Sequence, residues 1–364
     1  MTRLSFVVAG AGAGIFSAHR RGLAAIDAQV VAVQDVDTER ARGVSDEYGA
    51  RLHRSLDHLL AEPAEVALIL APHPFHAELT VAALRAGKHV LTEKPMAVSV
   101  AEADVMNAEA ERSGRVLAVC FQHRTRLEVR EARRLIDAGY LGRLQRADLL
   151  GTWPRRRTYF EVAPWRGTWS GEGGGVLINQ GQHDLDLLVH LAGVPARVTA
   201  RTPTHLHAIE TEDTAHALVE WPGGALGSIH VSTVEVDDAQ RIELTGTRGR
   251  LRVLPGRLEA VANEVDFREF IVSPGDPFGV LPTTAAEPFT GGAGDHADLY
   301  RDFAEALAAG RPPIATGRDA AQTLELANAL ILSGRTGRQV ELPLDRGAYA
   351  ALLDSLRQAA GSRP

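Results

Sequence analysis

Short apolar runs alternate with helical patterns through the first third of the chain, and this alternation restricts the fold more than any other feature. The runs cover residues 4–9, 29–34, 66–70, 89–92 and 116–121, with helical stretches ending near Ala25 and covering 38–48, 76–86 and 100–113. Strands apolar along their whole length are buried on both faces, so the pattern predicts β-α-β units forming a parallel sheet with helices on both sides. Right-handed crossovers then make it a doubly wound α/β sheet.

After about residue 125 the order changes, with strand candidates at 145–150, 196–201, 215–220, 226–232 and 241–245 and a Gly223-Gly224 turn between two of them. Consecutive strands joined by tight turns predict an α+β domain on a mostly antiparallel sheet. Helices are expected over 177–192, 296–309 and 320–333, belonging to this domain or bridging back to the first, while 254–295 reads as edge strands and a long loop. The 364 residues suit two domains, 1–122 for a dinucleotide and 123–364 for substrate binding and oligomerisation.

The first run ends in Gly10-Ala11-Gly12-Ala13-Gly14, followed by Ile15 and a helical stretch. Small residues there let a pyrophosphate approach a helix N-terminus, whose free N–H groups and dipole favour anions. In the Rossmann pattern G-x-G-x-x-G the third glycine would fall at Ile15; Gly14 comes one residue early, so the loop follows a variant path. Asp35 closes the second run, where a carboxylate accepts hydrogen bonds from ribose hydroxyls or, alternatively, caps the next helix. Val36 and Asp37 follow it, and the added negative charge predicts NAD over NADP, with Arg40 and Arg42 pulling the other way.

Lys and Arg total 39 against 46 Asp and Glu, a net charge of −7 and the wrong sign for a chain that coats nucleic acid. The lone Cys120 allows no internal disulfide, no cysteine group exists for structural zinc, and a reducing cytoplasm is the expected compartment. His73 and His76 resemble a metal pair, but Pro74 between them and the lack of a carboxylate-rich partner motif argue against a metal. No apolar stretch approaches the roughly 18–20 residues of a membrane span.

Nearly all the basic residues are Arg; only Lys88 and Lys94 are Lys. Lys94 stands between Glu93 and Pro95 after a buried strand, at the carboxyl edge of the sheet where open α/β folds bind ligands. A lysine there offers a compact donor whose pKa falls when desolvated, which a guanidinium does not.

The segment from Ala71-Pro72-His73-Pro74-Phe75-His76 to Thr92-Glu93-Lys94-Pro95 resembles the signature of the Gfo/Idh/MocA family, named for glucose-fructose oxidoreductase and inositol dehydrogenase. The similarity extends over nearly the whole chain, through Gln122 and Arg124, the run Gly173 to Asp186, Glu212-Asp213-Thr214 and Arg311-Pro312-Pro313. The resemblance implies Lys94 and His183 as catalytic residues, with Pro72, His73, His76 and Glu93 beside the cofactor. It also implies a homodimer or homotetramer joined through the outer face of the second sheet.

Three glycines at 173–175 allow a close backbone approach, and a helix beginning near Leu177 would put Asn179 and His183 on one face, with Asp186 three residues on. An imidazole beside an amide suits gripping a hydroxyl and taking its proton. Many family dehydrogenases carry Asp at the place of Asn179, which cannot accept a proton, so the acid-base role moves to His183 with Lys94. Tyr159, Trp165, Arg166 and Trp169 precede the glycines and supply an aromatic wall and a polar fork for a sugar ring, and the resemblance adds Gln122 to the substrate side.

These features predict an NAD-dependent oxidoreductase acting on a secondary ring alcohol of a small sugar, sugar derivative or inositol. Two alternatives are an NAD-assisted glycosidase with transient oxidation and a noncatalytic NAD-binding regulator; the retention of both Lys94 and His183 speaks against the regulator.

Overall fold

The computed structural model describes residues 3–236, 240–292 and 294–361. Its first sheet is built from β1 (Ser5–Ala9), α1 (Phe16–Ala25), β2 (Gln29–Gln34), α2 (Thr38–Tyr48), β3 (Arg51–His53), α3 (Leu56–Leu60) and β4 (Val66–Ile69). It continues through α4 (His76–Arg85), β5 (His89–Thr92), α5 (Val100–Ser113) and β6 (Leu117–Val119). All pairings are parallel in the order β3-β2-β1-β4-β5-β6. This is the doubly wound Rossmann order, and the reversal between β1 and β4 opens the crevice where such folds bind ligands. Strand β4 is buried at every position, which explains its unbroken apolar run.

The second half contains α6 (Leu127–Asp137), β7 (Leu144–Thr152), α7 (Arg157–Glu161), α8 (Gln182–Ala192), β8 (Arg197–Arg201), β9 (Thr214–Glu220) and β10 (Leu226–Ser232). It continues with β11 (Arg241–Gly246), β12 (Gly249–Leu254), β13 (Arg257–Asn263), α9 (Phe267–Phe270), β14 (Thr283–Ala285) and β15 (Phe289–Thr290). Helices α10 (His296–Ala309) and α11 (Gly317–Thr336), strand β16 (Val340–Glu341) and α12 (Arg346–Gly361) complete it. The sheet order is β14-β13-β12-β11-β7-β10-β9-β8-β16, with β15 also on β13. It is antiparallel except for β7 beside β10. Burial alternates along β9, β11 and β12, so one face packs inward and the other is open. Helix α11 lines the inward side and packs on β8, α8 and α5.

Two expectations are corrected. Residues 176–181 are turns, and α8 starts at Gln182 instead of near Leu177, because the Glu212 carboxylate accepts the N–H groups of Gly175 and Leu177 and its main-chain oxygen accepts that of Val176. Asn179 is therefore not on a helical face with His183. Within 254–295, β13 is a full strand paired along its length with β12, with only the segment after it loop-like. Helix α10 is one of the helices that bridge back to the first sheet, packing on α1: the Tyr300 ring stacks 6.0 Å from Phe6, and a Cβ at Gly22 would sit 2.3 Å from that ring.

Candidate active site

The glycine loop fits a dinucleotide by shape. Gly10 has φ +83° and no room for a Cβ against Ala71, which draws the loops after β1 and β4 together at the sheet reversal. A Cβ on Gly14 would meet open space, and the N-terminus of α1, after Ile15, has no acidic residue in its first turn and no side-chain cap. Asp35 holds this loop from below, its carboxylate accepting the N–H of Gly12 at 2.8 Å and that of Asp37 at 2.9 Å. Asp37, not Asp35, caps α2. Carboxylate oxygens with further lone pairs remain at the end of β2, the place a ribose would occupy.

His76 is buried with both ring nitrogens 2.7 Å from main-chain oxygens, those of Pro95 and Ala71. It braces the β4 and β5 loops and keeps no nitrogen for a cofactor or metal, which corrects its expected contact with the cofactor. Its neighbour His73 directs Nδ1 toward the oxygen of Glu172 and lies 5.0 Å from the Trp165 ring. Pro72 ends the loop in extended geometry before this turn.

Glu93 is a second brace. Oε1 takes His19 Nε2 at 3.0 Å and faces His296 Nε2 at 3.5 Å, Oε2 accepts the Lys94 N–H, and His19 passes on to the Tyr300 hydroxyl at 2.8 Å. Burial alone would raise its pKa, but the two histidines hold it well below the usual carboxylate range. His19, Glu93 and Cys120 bring nitrogen, oxygen and sulfur within 4.8 Å of one another. These hydrogen bonds already engage the histidine and carboxylate.

This brace aims Lys94, after whose cis bond to Pro95 the chain turns away. The ammonium donates to the main-chain oxygen of Asn179 at 3.1 Å and to its Oδ1 at 3.3 Å. Burial lowers the Lys94 pKa; Glu93 and Glu172 oppose the shift, and Arg166 and Arg155 add to it. Asn179 in turn donates from Nδ2 to the Tyr159 hydroxyl at 3.1 Å and to the carboxylate of Glu172. Sequence reasoning missed Glu172, whose carboxyl is pushed up to about 7 by burial. Its signal was a lone acid inside a glycine run.

His183 opens α8 beside this corner. Its ring stacks 4.2 Å from that of His123 and edge-on to Phe121, and Nδ1 is buried without a partner. Burial, His123 and Lys94 together push its pKa well below the ordinary value, so at neutral pH the imidazole is an uncharged proton acceptor. His123 was not foreseen. Gln122, in the same turn, also has a buried unpartnered Oε1.

Other expected residues are structural. Trp169 is 3% exposed, its indole bonded to the Glu210 oxygen. Asp186 forms a two-pronged buried pair with Arg124 at 2.7 and 2.8 Å, tying the turn after β6 to α8; removing either partner costs about 3–5 kcal/mol. A Cβ at Gly175 would lie 1.9 Å from the Glu212 oxygen, so that close approach requires glycine. Tyr159, Trp165 and Arg166 do converge, with the Arg166 guanidinium 4.0 Å over the tyrosine ring and 5.4 Å from the tryptophan.

Residues 4–121 match the model described as oxidoreductase family, NAD-binding Rossmann fold, and residues 129–252 match the Gfo/Idh/MocA C-terminal domain. Among curated proteins, a 1-carboxy-3-chloro-3,4-dihydroxycyclohexa-1,5-diene dehydrogenase of Comamonas testosteroni is 28% identical, covering 84% of this chain and 89% of its own. The D-apiose dehydrogenase of Paraburkholderia graminis is 29% identical, covering 91% and 88%. Among solved structures, the WlbA dehydrogenase of Bordetella pertussis in complex with NADH and UDP-GlcNAcA superposes with a TM-score of 0.79 at 28% identity, covering 94% of this chain and 100% of that one. The N-terminal sheet is thus an NAD-binding unit. Among the described residues no helix is long and apolar enough to cross a membrane.

Proposed function

Because this chain belongs to the Gfo/Idh/MocA family of oxidoreductases, we propose that it oxidises a secondary ring alcohol of a sugar, sugar derivative or inositol with NAD, or runs the reverse reduction. The observation that carries this reading is the corner where the Lys94 ammonium meets Asn179 beside an uncharged His183 whose Nδ1 has no partner. The D-apiose dehydrogenase it resembles supports a sugar substrate, and the dihydroxycyclohexadiene dehydrogenase supports a ring alcohol.

Bound NAD supplies the hydride acceptor. Lys94 donates to the hydroxyl oxygen and stabilises the negative charge that grows there as the C–H bond breaks. His183 takes the hydroxyl proton. Asn179 fixes the Lys94 ammonium, and Tyr159 with Trp165 offers the ring an apolar wall. Gly10, Gly12, Gly14 and Ile15 shape the pyrophosphate turn, and Asp35 receives the ribose and repels a 2′-phosphate, favouring NAD over NADP. The open face of the second sheet, with Leu218 and Leu226 exposed, is where copies associate as a dimer or tetramer.

The test is NADH absorbance on mixing protein and NAD with hexosides, uronates and inositols. Accumulation in step with alcohol oxidation is expected; release of a leaving group without net NADH would replace this reading with an NAD-assisted glycosidase.

A further inference from the structure

We propose that the substrate carries a negatively charged group, a carboxylate or a phosphate, and that Arg155 and Arg166 form the clamp that receives it. This rests on the reading of Lys94 as the alcohol-binding corner.

Both guanidinium groups lie over one ring. The Arg166 group is 4.0 Å and the Arg155 group 5.2 Å from the centre of Tyr159. Tyr159 leads directly to the reacting corner, since its hydroxyl accepts from Asn179 at 3.1 Å and Asn179 holds Lys94. Two arginines and a lysine therefore share one small volume, in a chain whose net charge is −7.

Among the described residues neither arginine is neutralised. The side chain of Arg155 donates only to the main-chain oxygen of its neighbour Pro154, at 3.2 Å. Arg166 donates from Nη1 to the main-chain oxygen of Tyr159 at 3.1 Å, and its Nε is buried without a partner. Among the described residues no carboxylate reaches salt-bridge distance of either. Arg157, two residues on, is by contrast paired with Glu161.

Glu172, an acid whose charge Arg166 feels, is engaged by Asn179 and by the N–H of Gly167 at 2.7 Å. Partly buried like charges raise the free energy of the empty site, and an anion entering it relieves that repulsion. Carboxylate and phosphate oxygens match the planar guanidinium fork, which neutral hydroxyls satisfy less strongly.

The experiment is calorimetric titration of the protein preloaded with NADH, using glucuronate, glucose 6-phosphate and glucose. At least one of the two anions is expected to bind about tenfold or more tightly than glucose, with the advantage shrinking as salt rises. The anion that wins distinguishes a sugar acid from a sugar phosphate. Arg166→Ala and, separately, Arg155→Gln should erase most of the advantage while NADH binding and the melting temperature hold; Arg155 serves if the Arg166 variant folds poorly. Equal affinity for all three sugars, or no binding of either anion, overturns the clamp. Rapid NADH formation from neutral glucose would also overturn it yet leave alcohol oxidation standing. Tight anion binding lost in Arg166→Ala, without NADH from any alcohol, would keep the clamp and sink the oxidation.

Discussion

The Lys94 ammonium lies 3.1 Å from the main-chain oxygen of Asn179 and 3.3 Å from its Oδ1, so the amide at this position faces the lysine rather than the histidine. An amide oxygen holds an ammonium without taking its proton, and the nearest titratable partner on the far side of Asn179 is Glu172. On the proposed reading, proton transfer at this corner falls to Lys94 and His183.

Lys94→Ala should bind NADH as wild type does and lose alcohol oxidation by roughly 100-fold or more, as for other positioned acid-base and electrostatic groups. Lys94→Arg should not rescue it, because the guanidinium is planar and keeps its proton. NADH fluorescence for binding and initial rates for turnover check both; a near-normal rate in either variant rules out the assignment.

Asn179→Asp would set a carboxylate against the Lys94 ammonium and raise the lysine's pKa, opposing the depression that burial causes. The alkaline limb of the oxidation profile should move to higher pH, with a smaller effect on His183. A profile superimposable on wild type would show that this contact does not govern the lysine.

Asp35→Ser should weaken NAD and narrow its preference over NADP, since it removes the ribose acceptor and a repelling charge. It also frees the N–H of Gly12, so the loop loosens and NADP should gain less than NAD loses. Affinities for both that stay unchanged would contradict the role at the strand end.

Asp184, behind the site on α8, is buried and its carboxyl is pushed up to about 7 by burial, with Arg126 only partly offsetting this. The folded state therefore holds a proton that the unfolded chain releases at lower pH, so stability falls as pH rises from about 4 to about 7 and stays lower above it. Asp184→Asn should flatten that fall, a difference on the order of 3 kcal/mol, read from denaturant midpoints at both ends of the range. Equal pH dependence in the two proteins would show that Asp184 ionises freely when folded.

Much of the first sheet was legible because most of its strands are buried on both faces and two of its helices carry side-chain caps: Asp37 accepts from Arg40, and Ser99 from Glu102. Less local features were hidden. The 176–181 segment has helical apolar spacing, yet Glu212, distant in sequence, binds its backbone as turns. Strand β13 follows the Pro255-Gly256 turn and alternates weakly, so only its pairing with β12 reveals it. Lys94, His183 and Asn179 were singled out by the sequence and its resemblance, although the helical spacing expected for the last two does not form, whereas Glu172, His123 and Arg155 acquire meaning only when folding brings them around Tyr159 and His183. His76, its two nitrogens capped by carbonyls, was legible as a site residue and turned out to be a brace.

If a ring carbinol gives up its hydride at the Lys94–His183 corner, a deuterium label on that carbon must pass to the nicotinamide. Ring-deuterated glucuronate, glucose 6-phosphate, glucose and myo-inositol would each be mixed with protein and NAD, and the nicotinamide product analysed by mass spectrometry. The account predicts NADH carrying one substrate deuteron from at least one of them, formed by wild type and nearly absent with Lys94→Ala. A protein that binds NAD normally but yields no deuterated NADH from any of the four would contradict it.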